Sequence, residues 1–181
     1  MDITLSQKEK TLLEDQKSSE QICIEKYTKY ANQTNNSQLK GIFNSNGQQE
    51  RTHLDTINQL LNGKLPQMNQ QQGGSQSQSS GQGQNTGQGQ GQNQGQNQGQ
   101  NMNFGINMNQ KQNNNADLSE KDMCTDLLMT EKYVSGAYDT TIFEFRDSRV
   151  RDLLNHIQKE EQQHGQAISQ YMINNGMYTV Q

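Results

Sequence analysis

Glu50-Arg51-Thr52-His53 recurs as Glu161-Gln162-Gln163-His164, 111 residues further along the chain. At the same shift Glu20 falls on Glu131, Tyr27 on Tyr138, Leu39 on Val150, Phe43 on Leu154 and Ile57 on Ile168, with no gap between Glu20 and Leu60. Two Glu-to-Tyr pairs and two Glu-x-x-His sets at one offset make the chain an internal duplication.

Around these motifs the spacing is helical. Leu13, Gln16, Glu20, Cys23, Tyr27 and Tyr30 step by three and four, and Leu39, Phe43, Asn46, Glu50, His53, Ile57 and Leu60 do the same. The second copy repeats the pattern with Cys124, Leu127, Glu131, Val134, Tyr138, Thr141 and Phe145, then Val150, Leu154, Ile157, Glu161, His164, Ile168 and Tyr171. Four such stripes are what a bundle needs. Ser6 with Glu9, and Asp117 with Glu120, have capping-box spacing at the two first-helix starts, while Gly63 and Gly176 mark the ends of the second helices. Breaks at Asn32 to Ser37 and at Arg146 to Ser148 turn each copy into an antiparallel hairpin. Glu20 and Glu50 are each fifteen residues from Asn35, and Glu131 and Glu161 each fifteen from Arg146, so both hairpins bring their glutamates to one level.

Between the copies the composition changes. From Asn69 to Asn101 there is only Asn, Gln, Gly, Ser and Thr, which buries too little surface to offset its ordering entropy. The expected organisation is therefore a first half-bundle over 5–65, a disordered Gly/Gln/Asn-rich linker over 66–116 and a second half-bundle over 117–178. Each hairpin is near the size at which a core alone is marginal, so the two are expected to bury their apolar faces against each other. The resulting fold class is all-α, a four-helix bundle of two duplicated antiparallel hairpins.

With 15 Lys+Arg against 19 Asp+Glu and a mean hydropathy of −1.15, the chain has no basic footprint for nucleic acid. No apolar run is long enough to span a bilayer, and the N-terminal residues lack the pattern of a signal peptide. Cys23 and Cys124 lie in different copies without metal spacing and read as buried small apolar residues. His156, opposite Ser45 in the other copy, and Glu25, Glu144 and Glu160 read as surface groups.

On the inward stripes, Glu20, Glu50, His53, Glu131, Glu161 and His164 converge among apolar neighbours with no inward Lys or Arg. Bare carboxylates in an apolar interior repel, each at a cost of several kcal/mol. Two divalent cations would supply the missing positive charge and leave both imidazoles neutral as ligands. The alternative is a metal-free polar layer in which protonated glutamates hydrogen-bond the histidines. Glu20, Tyr27, Glu50-Arg-Thr-His53, Glu131, Tyr138 and Glu161-Gln-Gln-His164 together resemble the motif of the ferritin-like superfamily. That resemblance implies that the ions are iron or manganese and that Tyr27 and Tyr138 hydrogen-bond the ligand shell.

The second copy also resembles the Coat F family of bacterial spore coat proteins. Lys121-Asp122-Met123, Asp126-Leu127-Leu128-Met129, Glu131-Lys132-Tyr133, Glu160-Glu161-Gln162 with His164, and Asn175-Gly176-Met177-Tyr178 carry the likeness. It implies a structural protein made in the mother-cell cytoplasm and assembled into the spore coat with other coat proteins. Homo-oligomers, or hairpins swapped between chains, are compatible with the long linker. The competing expectation is a di-iron or di-manganese oxidoreductase acting on oxygen or peroxide, which would need an open coordination position and a path for the oxidant.

Overall fold

The computed structural model describes residues 2–66 and 118–179. Four helices account for nearly all of them: α1 (Gln7–Gln33), α2 (Ser37–Leu61), α3 (Glu120–Glu144) and α4 (Ser148–Asn174). The segment expected to be a disordered linker lies outside the described residues.

Local chemistry sets the helix ends. Ser6 caps α1 in a reciprocal box, with the Glu9 amide donating to Ser6 Oγ at 3.3 Å and the Ser6 amide to Glu9 Oε2 at 2.6 Å. The start of α3 differs from the expected Asp117 cap. Ser119 is the N-cap, accepting from the Asp122 amide at 3.2 Å, and Glu120 is the first helical residue. The Ser119 hydroxyl reaches the amide three residues on, so the helix begins two residues later than the Asp117 and Glu120 spacing implied. Asn36 and Asp147 cap α2 and α4 from within the two tight turns.

Gly63 and Gly176 adopt φ of 72° and 67° after α2 and α4. In each case the glycine amide and the one after it close back on the last helical turn, Lys64 to the Gln59 carbonyl at 2.9 Å and Met177 to the Met172 carbonyl at 2.8 Å. At Gly63 the constraint is double, because a Cβ there would also lie 3.2 Å from the Ile3 carbonyl oxygen, whose own amide donates to Gly63. Gly63→Ala should therefore lose about 1–2 kcal/mol in urea unfolding, the cost of a side chain in the left-handed region.

The helices pack α1 on α2, α3 on α4, α1 on α3 and α2 on α4, which leaves α1/α4 and α2/α3 on the diagonals. Partners run in opposite directions across every shared face. Ascending α1, Gln16 meets Thr141, Tyr27 meets Glu131 and Thr34 meets Glu120, while across α2 and α4 His53 meets Glu160 and Gln49 meets His164. The end of α2 lies beside the start of α1, held by the Ile3 to Gly63 bond, and the start of α3 lies beside the end of α1. The stretch joining α2 to α3 thus begins and ends at opposite poles of a bundle about 40 Å long, from 27 residues at 1.5 Å each.

All residues of the four sequence stripes are buried. Met123, Leu128, Ile142, Leu153 and Met172 join them and widen the apolar faces of α3 and α4. Cys23 and Cys124 are buried and free. Among the described residues no helix is long and apolar enough to cross a membrane.

Candidate metal centre

Each helix contributes to the centre from its middle: Glu20 from α1, Glu50 and His53 from α2, Glu131 from α3, Glu161 and His164 from α4. All six side chains are 2 % exposed or less. They form two groups: Glu20, Glu50, His53 and Glu161, and Glu50, Glu131, Glu161 and His164. Within each group one oxygen or nitrogen per residue lies within 4.8 Å of the others. Glu50 and Glu161 belong to both groups. The i, i+3 spacing places each Glu beside its own His, at 3.4 Å for Glu50 to His53 and 3.5 Å for Glu161 to His164.

The inward atoms face one another at short range. His164 Nδ1 is 2.9 Å from Glu50 Oε1, and His53 Nδ1 is 3.0 Å from Glu161 Oε1. Even so, among the described residues nine buried side-chain N and O atoms have no aligned hydrogen bond, and all but Gln16 Oε1 belong to these six residues. Buried polar atoms are rarely left so. Their lone pairs point at shared space, which is the arrangement an ion of coordination number four or more would complete. The donor set, carboxylate oxygen with imidazole nitrogen, is one that divalent transition-metal ions take.

The outer edges of the same residues are satisfied. Tyr27 OH donates to Glu131 Oε1 and Tyr138 OH to Glu20 Oε1, each tyrosine reaching the glutamate of the other hairpin. Asn46 Nδ2 donates onward to Tyr27 OH at 3.1 Å. Burial, then the nearby glutamates, hold both phenols well above their ordinary pKa, so they stay donors. On the histidines, Nε2 of His53 lies 3.0 Å from Glu160 Oε2 and Nε2 of His164 lies 3.1 Å from Gln49 Oε1. A proton on each Nε2 leaves Nδ1 as the free lone pair aimed inward.

Glu160 is thus no surface group, contrary to the sequence expectation; it is the partner of His53. The duplication held the signal, since the shift of 111 residues pairs Glu160 with Gln49. Residues just before the ligand glutamates face the histidine of the other hairpin once α2 and α4 run antiparallel. His156 is largely exposed, as expected, and sits 3.6 Å from Glu160. Glu25 is exposed, and Glu144 ion-pairs with Lys8 on the surface at 2.6 Å. A second unforeseen contact is at Glu9, which accepts from the Arg146 amide at 3.0 Å across the two hairpins. Burial would raise its pKa, but the Ser6 and Arg146 donors bring it to about 2.

The imidazole partners differ: an anionic Glu160 behind His53, a neutral Gln49 behind His164. A carboxylate partner makes an imidazole the stronger donor. Glu160→Gln should weaken the ion on the His53 side by roughly 10–100-fold and leave the His164 side unchanged. Calorimetric titration, in which the two binding steps would draw together, checks this.

Without metal, charge balances by proton uptake. Burial and the neighbouring glutamates raise Glu131 to about 11 and push Glu20 well above the carboxylate range. Burial alone would raise Glu161, but the His164 and His53 imidazoles draw it down to about 2, and Glu50 also moves down. Burial would lower His164, but Glu161 and Glu50 lift it to about 9; His53 moves up through Glu160 and Glu161.

Residues 119–181 match the family model of the Coat F domain. The second hairpin is therefore similar to the Coat F domain. The match begins at the N-cap of α3 and takes in all of α4, so Glu131, Glu161 and His164 lie within the matched residues. The first hairpin repeats the matched half at the shift of 111 residues. Among curated proteins and among solved structures, none matches the chain.

Proposed function

We propose that the chain is a structural spore coat protein whose ferritin-like bundle holds a dinuclear centre of iron or manganese. Glu20, Glu50, His53 and Glu161 would hold one ion and Glu50, Glu131, Glu161 and His164 the other, with Glu50 and Glu161 shared. The observation that carries this is the set of inward carboxylate and imidazole atoms without hydrogen bonds. When bound, the ions supply positive charge that joins two hairpins and, if redox-active, electron transfer to oxygen species. The chain's own part is to fix the ligands, through Tyr27, Tyr138, Glu160 and Gln49, and to keep water out.

The coat role rests on the Coat F match and on an exposed apolar row along α3. Met129, Tyr133 and Phe143 are 60 %, 73 % and 83 % exposed and share one helical face with Gly136 and Thr140. Such a row suits burial against other coat proteins, or against further copies of this chain. Elemental analysis of protein purified without chelator should find about two ions per chain, as two ligand groups require. Less than about half an ion per chain would reject the metal half of the proposal. A Tyr133→Ser/Phe143→Ser chain should fold normally yet fail to partition into the insoluble coat fraction of spores; unchanged partition would reject the surface assignment.

A second reading, a metal-dependent oxidase or peroxidase, is favoured by one observation. A cavity of about 500 Å³ between α3 and α4 is lined by Glu131 and Glu161. Peroxide consumption by the metal-loaded chain, compared with a Glu50→Ala/Glu161→Ala variant, tests it; equal rates would remove it.

A further inference from the structure

The two hairpins carry matching ligands but different outer walls. On the α3–α4 side, Leu128, Gly165 and Ser169 flank the cavity, Glu131 and Glu161 form its floor, and Lys132 and Tyr178 stand at its rim. The duplication puts Leu54 where Gly165 stands, Ile24 where Ser135 stands and Gln21 where Lys132 stands. Leu54 and Ile24 thus put large apolar side chains on the α1–α2 face where the other face has Gly165 and Ser135.

Two glycines show how the difference arises. At Gly47 a Cβ would come within 3.0 Å of Tyr27 Cβ, so this glycine lets α2 press against α1. Its counterpart in the second copy is Gln158, which puts a full side chain between α3 and α4 and donates from Nε2 to the Ser135 carbonyl at 2.9 Å. At Gly165, by contrast, a Cβ would meet only ordinary contacts, 3.6 Å to Leu128 Cδ1 and 3.8 Å to Glu131 Cβ. Helix packing therefore does not require a glycine at 165, where it costs about 1 kcal/mol relative to alanine. What Gly165 provides is a bare wall of the groove beside Glu131, which keeps 2 % exposure while Glu161, Glu20 and Glu50 keep none.

We infer that the α3–α4 groove is the entry through which a small anion or peroxide reaches the centre, and that the α1–α2 face is sealed. The inference rests on the metal assignment above for its ligand and on wall geometry for its route. Two divalent ions balance the four glutamates of the centre, so the positive charge that draws an anion to the mouth is that of Lys132. A groove that is apolar along Leu128 and Ile173 admits small, weakly hydrated anions more readily than a bulky organic acid.

The test uses the full chain and two probes. Azide binding to the iron-loaded protein, followed by its charge-transfer absorption, should be at least about tenfold slower in Gly165→Leu and in Ser169→Met, since entry then needs side-chain displacement. Gly165→Ala, whose Cβ fits, serves as the folding control, and Leu54→Met on the sealed face should leave the rate unchanged. Equal rates in the parent and both blocked variants, at equal iron content, would overturn the route. In the metal-free chain, dicyclohexylcarbodiimide, which takes neutral carboxyls, should modify Glu131 before Glu20, as mapped by peptide mass spectrometry. Even labelling of these two would also overturn the route. If the parent takes up no iron, the metal assignment falls, and the labelling order alone still decides which face is open.

Discussion

Replacing either shared glutamate, Glu50→Ala or Glu161→Ala, should remove both metal ions at once, whereas Glu20→Ala or Glu131→Ala should remove one. The asymmetry follows from membership: Glu50 and Glu161 stand in both ligand groups, and Glu20 and Glu131 in one each. Losing a ligand to both ions should weaken each by more than the roughly 100-fold that an outer partner costs. Metal counts per chain after equilibrium dialysis read this directly. Loss of a single ion on Glu50→Ala would show that the two groups do not share ligands. The same variants separate a metal centre from a bare polar layer. With metal present, the parent should melt higher than its own apo form and the shared-ligand variants should not, because only the parent gains binding free energy on folding.

Filling the centre at neutral pH should release at least about two protons per chain, and metal affinity should climb with pH. The count comes from Glu131, held at about 11, and His164, held at about 9, with Glu20 and His53 shifted in the same direction. The stability of the metal-free chain should run the other way. His164 and Glu131 sit above their ordinary values of 6.5 and 4.5, so their contribution is complete in acid and is lost as pH rises toward about 9 for His164 and about 11 for Glu131. Glu161 and Glu9, both held at about 2 against an ordinary 4.5, stabilise above pH 4.5 and lose that contribution as pH falls toward 2. The apo chain should therefore be most stable between the two arms, in the mildly acidic range. The gain in melting temperature on adding metal should widen from pH 6 to pH 9; a gain that is flat or shrinking over that range would contradict the proton count. Potentiometric titration at constant pH measures the protons.

The stripes of Leu13 to Tyr30, Leu39 to Leu60 and their copies were readable because a packed helix repeats its burial every three to four residues, and duplication printed the pattern twice. The level of the four glutamates was readable for a related reason, since distance from a turn fixes height in an antiparallel pair. Less local facts were not. Glu160 looks like one more charge on a polar face until α4 is set antiparallel to α2 and its carboxylate meets His53 Nε2. Glu9 reads as a capping residue, which it is, but its second bond to the Arg146 amide joins segments 137 residues apart. Gly165 and Gly47 are the same letter with different meanings: at Gly47 the helix presses on Tyr27 more closely than a side chain allows, and at Gly165 a Cβ would meet only ordinary contacts. That distinction depends on the neighbouring helix, which no single-helix periodicity encodes.

Neither ligand group is complete within one hairpin. The first takes three residues from the N-terminal half and Glu161 from the other, and the second takes three from the C-terminal half and Glu50 from the first. The two ions would therefore act as a clasp between halves, and the clasp is blind to whether those halves belong to one polypeptide. A crowded layer of such chains can trade partners without changing any coordination shell, so that chelation would loosen molecules from one another by the same act that loosens each from within.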